Sequence, residues 1–373
     1  FFNYFSTIYN MKTKVRIKTN PKIKIIEEEN SLLFPVYSYI KKDEYHEGYV
    51  YKDFLIGEYY TTVSGEILGT KKMYFNGYFE ECLEIKNNFK ETMVENPYIN
   101  KEFDSLKKED FLTLLKEKDL GYLYNSCNKD SKILIINTID NVYEYNNIFN
   151  IKNNKENILD YINKIGKILN VDKIIILFRN SSEIGIESFV NLIGLYSNME
   201  IKLIPNIYIT DINDFINIDN YIMLSSIDIL NIINNCLYNK RLDSKYISIY
   251  DIENNIIKVI LVKKYTSLLE VLDNIEDKDI YYNGLYLGYK IKDIDKYLVD
   301  DLLNCIFLVP KNYKINCINC GACNKVCPKN IDVYNHLISK CKSDNCINCG
   351  LCNYICPSNI NIRDILTGEN YEE

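Results

Sequence analysis

The chain has 373 residues, enough for two to four domains with buried cores, and its 47% hydrophobic and 25% charged residues are those of an ordinary folded protein. A net charge of −7, with no compact basic stripe interleaved with aromatics, argues against nucleic acid as a partner. No apolar run approaches the length that crosses a bilayer, the longest being 174–178, so any membrane association would go through a partner. The 33 Tyr, four Arg and absent Trp read as AT-rich coding and carry no function.

Residues 1–10 precede the first methionine, Met11, and are expected to be an unstructured leader. Too short to span a membrane and lacking basic residues, they make a poor signal peptide. Four β-prone stretches follow, at 22–27, 32–40, 49–55 and 59–68, the last containing Val63-Ser64-Gly65. Short strands with glycine-centred turns predict a small β domain over 11–95. His46, in a charged turn without ligand neighbours, is expected on the surface.

A helix is predicted at 104–119 from the spacing of Leu106, Phe111, Leu114 and Leu115. The apolar run 132–136 then reads as a strand buried on both faces. Next comes a helix capped near Asn154, with Ile158, Leu159, Ile162, Ile165, Ile168 and Leu169 on one side. A strand at 173–178, a helix at 182–196 and a strand at 200–205 complete an alternation that predicts a parallel sheet with right-handed crossovers over 96–208. Beyond it, a hairpin at 245–250 and 256–262, a short helix at 267–275 and the stretch 280–289, with Gly284 and Gly288, suit a compact β-grasp-like domain over 209–310.

The last domain, 311–368, holds eight of the 13 cysteines in two C-x2-C-x2-C-x3-C-P runs. Such paired runs hold two [4Fe–4S] clusters, the fourth cysteine of each serving the other cluster. One cluster is therefore assigned Cys317, Cys320, Cys323 and Cys356, and the other Cys346, Cys349, Cys352 and Cys327. Gly321 and Gly350 supply the tight curl, and the fourth cysteine is expected at the start of a helical turn before proline. Zinc ribbons draw two cysteine pairs from separate turns, whereas here a third cysteine follows at once, twice. A disulfide framework would need a secretory context that the chain does not display. Of the other cysteines, Cys82, Cys127, Cys236, Cys305 and Cys341 are each expected to be small buried hydrophobes, and His336 a helix-surface residue.

This order of parts resembles the RnfC family, the peripheral iron–sulfur subunit of Rnf electron-transport complexes, related to the NADH-binding flavoprotein subunit of respiratory complex I. The Val63-Ser64-Gly65 turn is similar to that of the family's N-terminal lipoyl-like domain. The stretch Asn283-Gly284-Leu285-Tyr286-Leu287-Gly288 is similar to a G-G-P-M-M-G segment of its β-grasp (SLBB) domain, and the eight cysteines match its ferredoxin-type module. The resemblance implies a multi-domain α/β chain with a Rossmann- or flavodoxin-like centre. It also implies redox-protein and membrane-subunit partners, and a cytoplasmic place, peripheral on the cytoplasmic face of the inner membrane. One pattern departs from the family. Where flavin-binding relatives carry G-x-G-G-A-G-F-P, this chain reads Asp119-Leu120-Gly121-Tyr122-Leu123-Tyr124-Asn125-Ser126, and only Asn137 survives of the later N-x-x-E-C-E-P.

Bulky tyrosines there are expected to exclude FMN and NADH, leaving an electron relay without bond chemistry, docked by its acidic balance to a basic partner surface. The alternative is a complete FMN-dependent NADH-oxidising subunit with a rebuilt site, in which Tyr122 or Tyr124 stacks on the ring. A third reading is an assembly subunit whose clusters only stabilise its tail.

Overall fold

The computed structural model describes residues 23–43, 47–94, 99–180, 187–208, 212–311 and 316–368. The expected leader and His46 lie outside these residues, as does the start of the helix predicted at 182–196. The protein is a mixed α/β chain with three main sheets and a C-terminal helical region.

The first sheet is antiparallel, in the order Tyr37–Lys41, Tyr78–Asn87, Gly65–Phe75, Gly48–Val50. Its long hairpin turns on Asn76 and Gly77, both at positive φ (46° and 101°), as a two-residue loop that matches strand twist requires. One face buries Ile40, Val50, Leu83 and Ile85. The other packs Tyr39, Met73, Phe75 and Cys82 against Tyr265 and Leu298 from much later in the chain. The stretch expected as one strand at 32–40 is broken at Phe34-Pro35, because proline has no N–H for a ladder. The chain before the break, Lys24–Leu33, leaves this sheet and pairs in parallel with Ile256–Lys263. Residues 24–33, grouped by sequence with the N-terminal unit, thus form the edge of a later sheet. The stretch expected at 59–68 also divides, into Tyr59–Tyr60 and Gly65–Phe75, around a turn in which Ser64 donates to the Thr92 carbonyl and accepts from Lys52 N–H at 2.8 Å.

The second sheet is wholly parallel, in the order Met199–Ile204, Lys173–Arg179, Ile133–Asn137, Ile222–Ser225. Its helix Lys155–Ile168, with the C-cap residue Leu169, buries the six apolar residues singled out by their spacing. Asn154 does not cap that helix with its side chain; it joins it to an unforeseen helix, Asn146–Asn153. Asp140 serves as the cap there, accepting from the N–H groups of Asn147 and Ile148 at 2.9 and 3.1 Å. The fourth strand lies beyond the boundary expected at 208. Together with helix Ser226–Ile232, started by a Ser225–Asp228 capping box, it extends this unit well past residue 209.

The third sheet is mixed and six-stranded, in the order Lys24–Leu33, Ile256–Lys263, Ser244–Asp251, Cys305–Pro310, Lys278–Tyr282, Tyr289–Ile291. One face packs Tyr250, Tyr281 and Phe307 against Tyr145 and Phe149, the latter on helix Asn146–Asn153 of the α/β unit. A knot of charges clasps the N-terminal unit onto this sheet. The amines of Lys52 and Lys263, 2% and 1% exposed, converge on one carboxylate oxygen of Asp243, the Lys263 contact being 2.6 Å, with half-exposed Glu91 beside them.

Burial also shapes titration at the seam of these units. It pushes the Glu144 carboxyl up to about 7, with the nearby Asp140 charge adding, and lifts Asp140 to about 6. A carboxyl raised on folding stabilises most below its unfolded value and loses that contribution as pH climbs through the folded one. The denaturation midpoint is therefore expected to fall between about pH 4.5 and 7, and Glu144→Gln should flatten that slope. An unchanged slope in the variant would assign it to other groups.

Candidate metal centre

The C-terminal region is a repeat. Each cysteine of the first run recurs 29 positions later, Cys317 as Cys346 and Cys327 as Cys356, and the backbone repeats with it. The first half gives helices α1 (Ala322–Val326) and α2 (Val333–Ser339), and the second gives α3 (Leu351–Ile355) and α4 (Ile362–Thr367). Asn319 and Asn348, then Gly321 and Gly350, all take left-handed backbone, which curls each loop tightly enough to turn its cysteines inward. Cys327 and Cys356 were expected to begin a helical turn. Instead they end α1 and α3 in extended conformation, φ near −68° and ψ near 117°, and this swing carries each fourth thiol toward the other half.

The result is two narrow thiol-lined cavities. Cys317, Cys320, Cys323 and Cys356 line the first; Cys327, Cys346, Cys349 and Cys352 line the second. The crossed grouping read from the sequence is therefore also the spatial one. Among the described residues no three of His, Cys, Asp and Glu converge tightly enough to hold a single metal ion; the thiols stand instead around cavities otherwise walled by residues such as Leu337, Ile362, Leu351 and Leu366. An all-thiol donor set in an apolar wall fits an iron–sulfur cluster. Backbone also reaches the sulfurs, with Asn319 N–H donating to Cys317 Sγ at 3.4 Å. Burial, with Cys346 adding, pushes the Cys349 thiol up to about 11, a proton that coordination would displace.

Several residues not singled out from the sequence hold this centre in place. Asn353 is buried, donates to the Leu285 carbonyl at 3.2 Å and accepts from Arg363 N–H at 2.8 Å. Its repeat partner Asn324 accepts from Tyr334 N–H at 2.7 Å but is exposed. The buried Arg363 guanidinium donates to the carbonyls of Tyr286 and Gly288, so the 283–288 stretch is the seat of the module. Tyr208 donates from its hydroxyl to the Cys349 carbonyl at 2.9 Å, and Tyr354 packs between Tyr208 and Tyr286, with ring centroids 5.2 and 5.0 Å away. The signal available in sequence was the repeated Asn after the third cysteine of each run.

The two glycines separate shape from seating. A Cβ on Gly350 would stand 2.5 Å from the Tyr286 carbonyl oxygen, whereas one on Gly321 meets nothing within 4 Å. Gly321→Ala is expected to cost about 1–2 kcal/mol, the left-handed penalty alone, and Gly350→Ala about twice that or more. Urea midpoints of oxygen-free protein test this, and equal losses would contradict the seating.

Among the remaining cysteines, Cys82, Cys127, Cys236 and Cys305 are buried as expected, but Cys341 is exposed. His336 lies half-exposed on α2, its Nδ1 2.9 Å from the Cys341 carbonyl, outside both cavities. In the 119–126 stretch, Tyr122 has its hydroxyl 3.2 Å from both Asp228 and Asn231, and Lys116 sits over the Tyr124 ring at 3.7 Å. Beside Tyr122 opens a cavity of about 390 Å³, lined by Asp53, Glu58, Asp119, Asp243 and Asp301 against Lys118, Arg241 and Lys264.

A family model described as a 4Fe-4S binding domain matches residues 317–331 and 346–360, which covers all eight cysteines of the two runs. No curated protein matches the chain. The chain thus carries a ferredoxin-type 4Fe-4S binding domain near its C-terminus, the chemistry of iron–sulfur electron transfer. No helix among the described residues is long and apolar enough to cross a membrane.

Proposed function

We propose that this chain is an RnfC-like electron-transfer subunit that relays electrons through two [4Fe–4S] clusters, with Cys317, Cys320, Cys323 and Cys356 holding one and Cys327, Cys346, Cys349 and Cys352 the other. The observation that carries the reading is the sorting of eight thiols into two cavities, each closed by the other run's fourth cysteine. When bound, such clusters accept and release single electrons. The chain's own part is to hold and orient. Crossed cysteines lock the halves together, Arg363 and Asn353 fix them on the 283–288 turn, and Tyr208, Tyr354 and Tyr286 pack behind the Cys349 loop.

In this reading the antiparallel sheet with Val63-Ser64-Gly65 is the lipoyl-like domain, the parallel sheet the Rossmann-like one and the mixed sheet the SLBB domain. The partners are redox proteins and membrane subunits of an electron-transport complex, with the chain peripheral on the cytoplasmic face. A relay without its own NADH chemistry is supported by residue chemistry at two places. In open parallel sheets, nucleotides bind where strand order reverses, here between the ends of Ile133–Asn137 and Ile222–Ser225. The neighbouring helix start, which would attract a phosphate, is already capped by Asp140. The cavity beside Tyr122 carries five carboxylates against three basic groups, the wrong balance for a dinucleotide.

Under nitrogen, dithionite should bleach the visible spectrum of the protein and NADH should leave it unchanged, with no flavin released on acid treatment. Released flavin and bleaching by NADH would replace the relay with the NADH-oxidising reading. Failure to cycle between oxidised and reduced forms would leave the clusters a structural role alone.

A further inference from the structure

The two cysteine cavities are built alike but face different surroundings. Around the Cys346 run, Gly350 abuts the Tyr286 backbone, Tyr208 covers the Cys349 carbonyl, and Leu351 and Tyr354 of α3 are buried. Around the Cys317 run, Gly321 faces open space, Asn319 and Cys320 are exposed, and Ile318 is 60% exposed. The same motif is thus walled in on one side and bare on the other.

Charge divides along the same line. Residues 316–345 carry Lys325, Lys329, Lys340 and Lys342, all exposed, against Asp332 and Asp344. Among the described residues, only Lys342 of these four has a carboxylate within ion-pair reach, Asp344 at 3.8 Å. Asp332, itself exposed, accepts from the side-chain amides of Asn324 and Asn335. Residues 346–368 carry only Arg363 and Asp364, which pair with each other at 2.9 Å. Lys325 stands on α1, which supplies Cys323, and Lys340 ends α2, whose Tyr334 and Leu337 line the exposed cavity; Lys329 borders the inner one. In a chain of net charge −7, the stretch 316–345 that builds the bare side carries four lysines against two aspartates.

We propose that the Cys317-side cluster site is the port of the molecule, and that its lysine-rich surround docks a protein electron carrier bearing a carboxylate-rich face. The Cys346-side site is the inner station. This rests on the relay reading above. One electron leaves the reduced group of the carrier and arrives at the port, or travels the reverse way, with no bond made or broken. The overall acidity of the chain points to a basic partner, but the sign at the port is opposite, and contact charges set orientation.

The test uses cluster-loaded full-length protein, with acidic flavodoxin as probe and basic cytochrome c as counter-probe. A triple variant, Lys325→Glu, Lys329→Glu and Lys340→Glu, is compared with a control, Lys167→Glu and Lys240→Glu, at exposed sites far along the chain. Iron and sulfide are assayed first in every sample. The expected result is salt-sensitive flavodoxin binding weakened about tenfold or more by the triple variant and little by the control. Carbodiimide cross-links should fall on Lys325 or Lys340. Equal binding by a cluster-loaded triple variant, cross-links confined to other faces, no flavodoxin binding by the wild type, or preference for cytochrome c would overturn the port. Absence of iron from the wild-type chain would overturn the relay reading instead.

Discussion

Each of Cys320→Ala, Cys327→Ala and Cys356→Ala is expected to remove about four of about eight irons per chain, and pairs of them should reveal which thiols share a cluster. Cys320 and Cys356 line one cavity although 36 residues separate them, whereas Cys320 and Cys327, seven residues apart, line different ones. The Cys320→Ala, Cys356→Ala double variant should therefore keep about four irons, like either single variant, while Cys320→Ala with Cys327→Ala should keep close to none. If each run ligated its own cluster the two outcomes would exchange. The cause of the crossing is the extended backbone at Cys327 and Cys356, which ends α1 and α3 and turns the last thiol outward.

The second large effect is on stability. Lys52 and Lys263 are almost wholly buried, and Asp243 is the carboxylate on which both converge. Burial acts to raise the Asp243 carboxyl, yet Lys263 and Lys52 hold it below its ordinary value. Asp243→Ala strands two buried ammonium groups with only half-exposed Glu91, and is expected to cost about 3–5 kcal/mol, read as a drop in denaturation midpoint. Adding Lys52→Met and Lys263→Met to Asp243→Ala should recover much of that loss, because the cost lies in unpaired buried charge. If the triple variant is no better than the single, the knot contributes by shape and not by charge. The clasp joins the N-terminal sheet to the mixed sheet, so its loss should free the first unit to proteases before the cluster region is cut.

What sequence could reveal here depended on how local the cause was. The eight cysteines and both glycines declared themselves because their chemistry lies within runs of a dozen residues, and the two cavities group the thiols as the spacing implied. The helix Lys155–Ile168 and the buried strands Ile133–Asn137 and Lys173–Arg179 were equally plain, since periodicity is a local property. Long-range partners were not visible. Nothing in residues 24–33 announces that they pair with 256–263, and Ile222–Ser225 is too short to mark itself as the fourth strand of the parallel sheet. Asn76-Gly77 is a local hairpin signal, and it joins the two longest paired strands of the first sheet. Arg363 and Tyr208 could not be found from spacing, because each acts on a backbone carbonyl distant in sequence.

The most direct measurement is iron, acid-labile sulfide and zinc content of protein purified without oxygen. Two cysteine cavities that each cradle a cubane predict about eight irons and about eight sulfides per chain, with no stoichiometric zinc. Zinc in their place, or a chain that folds with no metal and no sulfide, would contradict the account at its base.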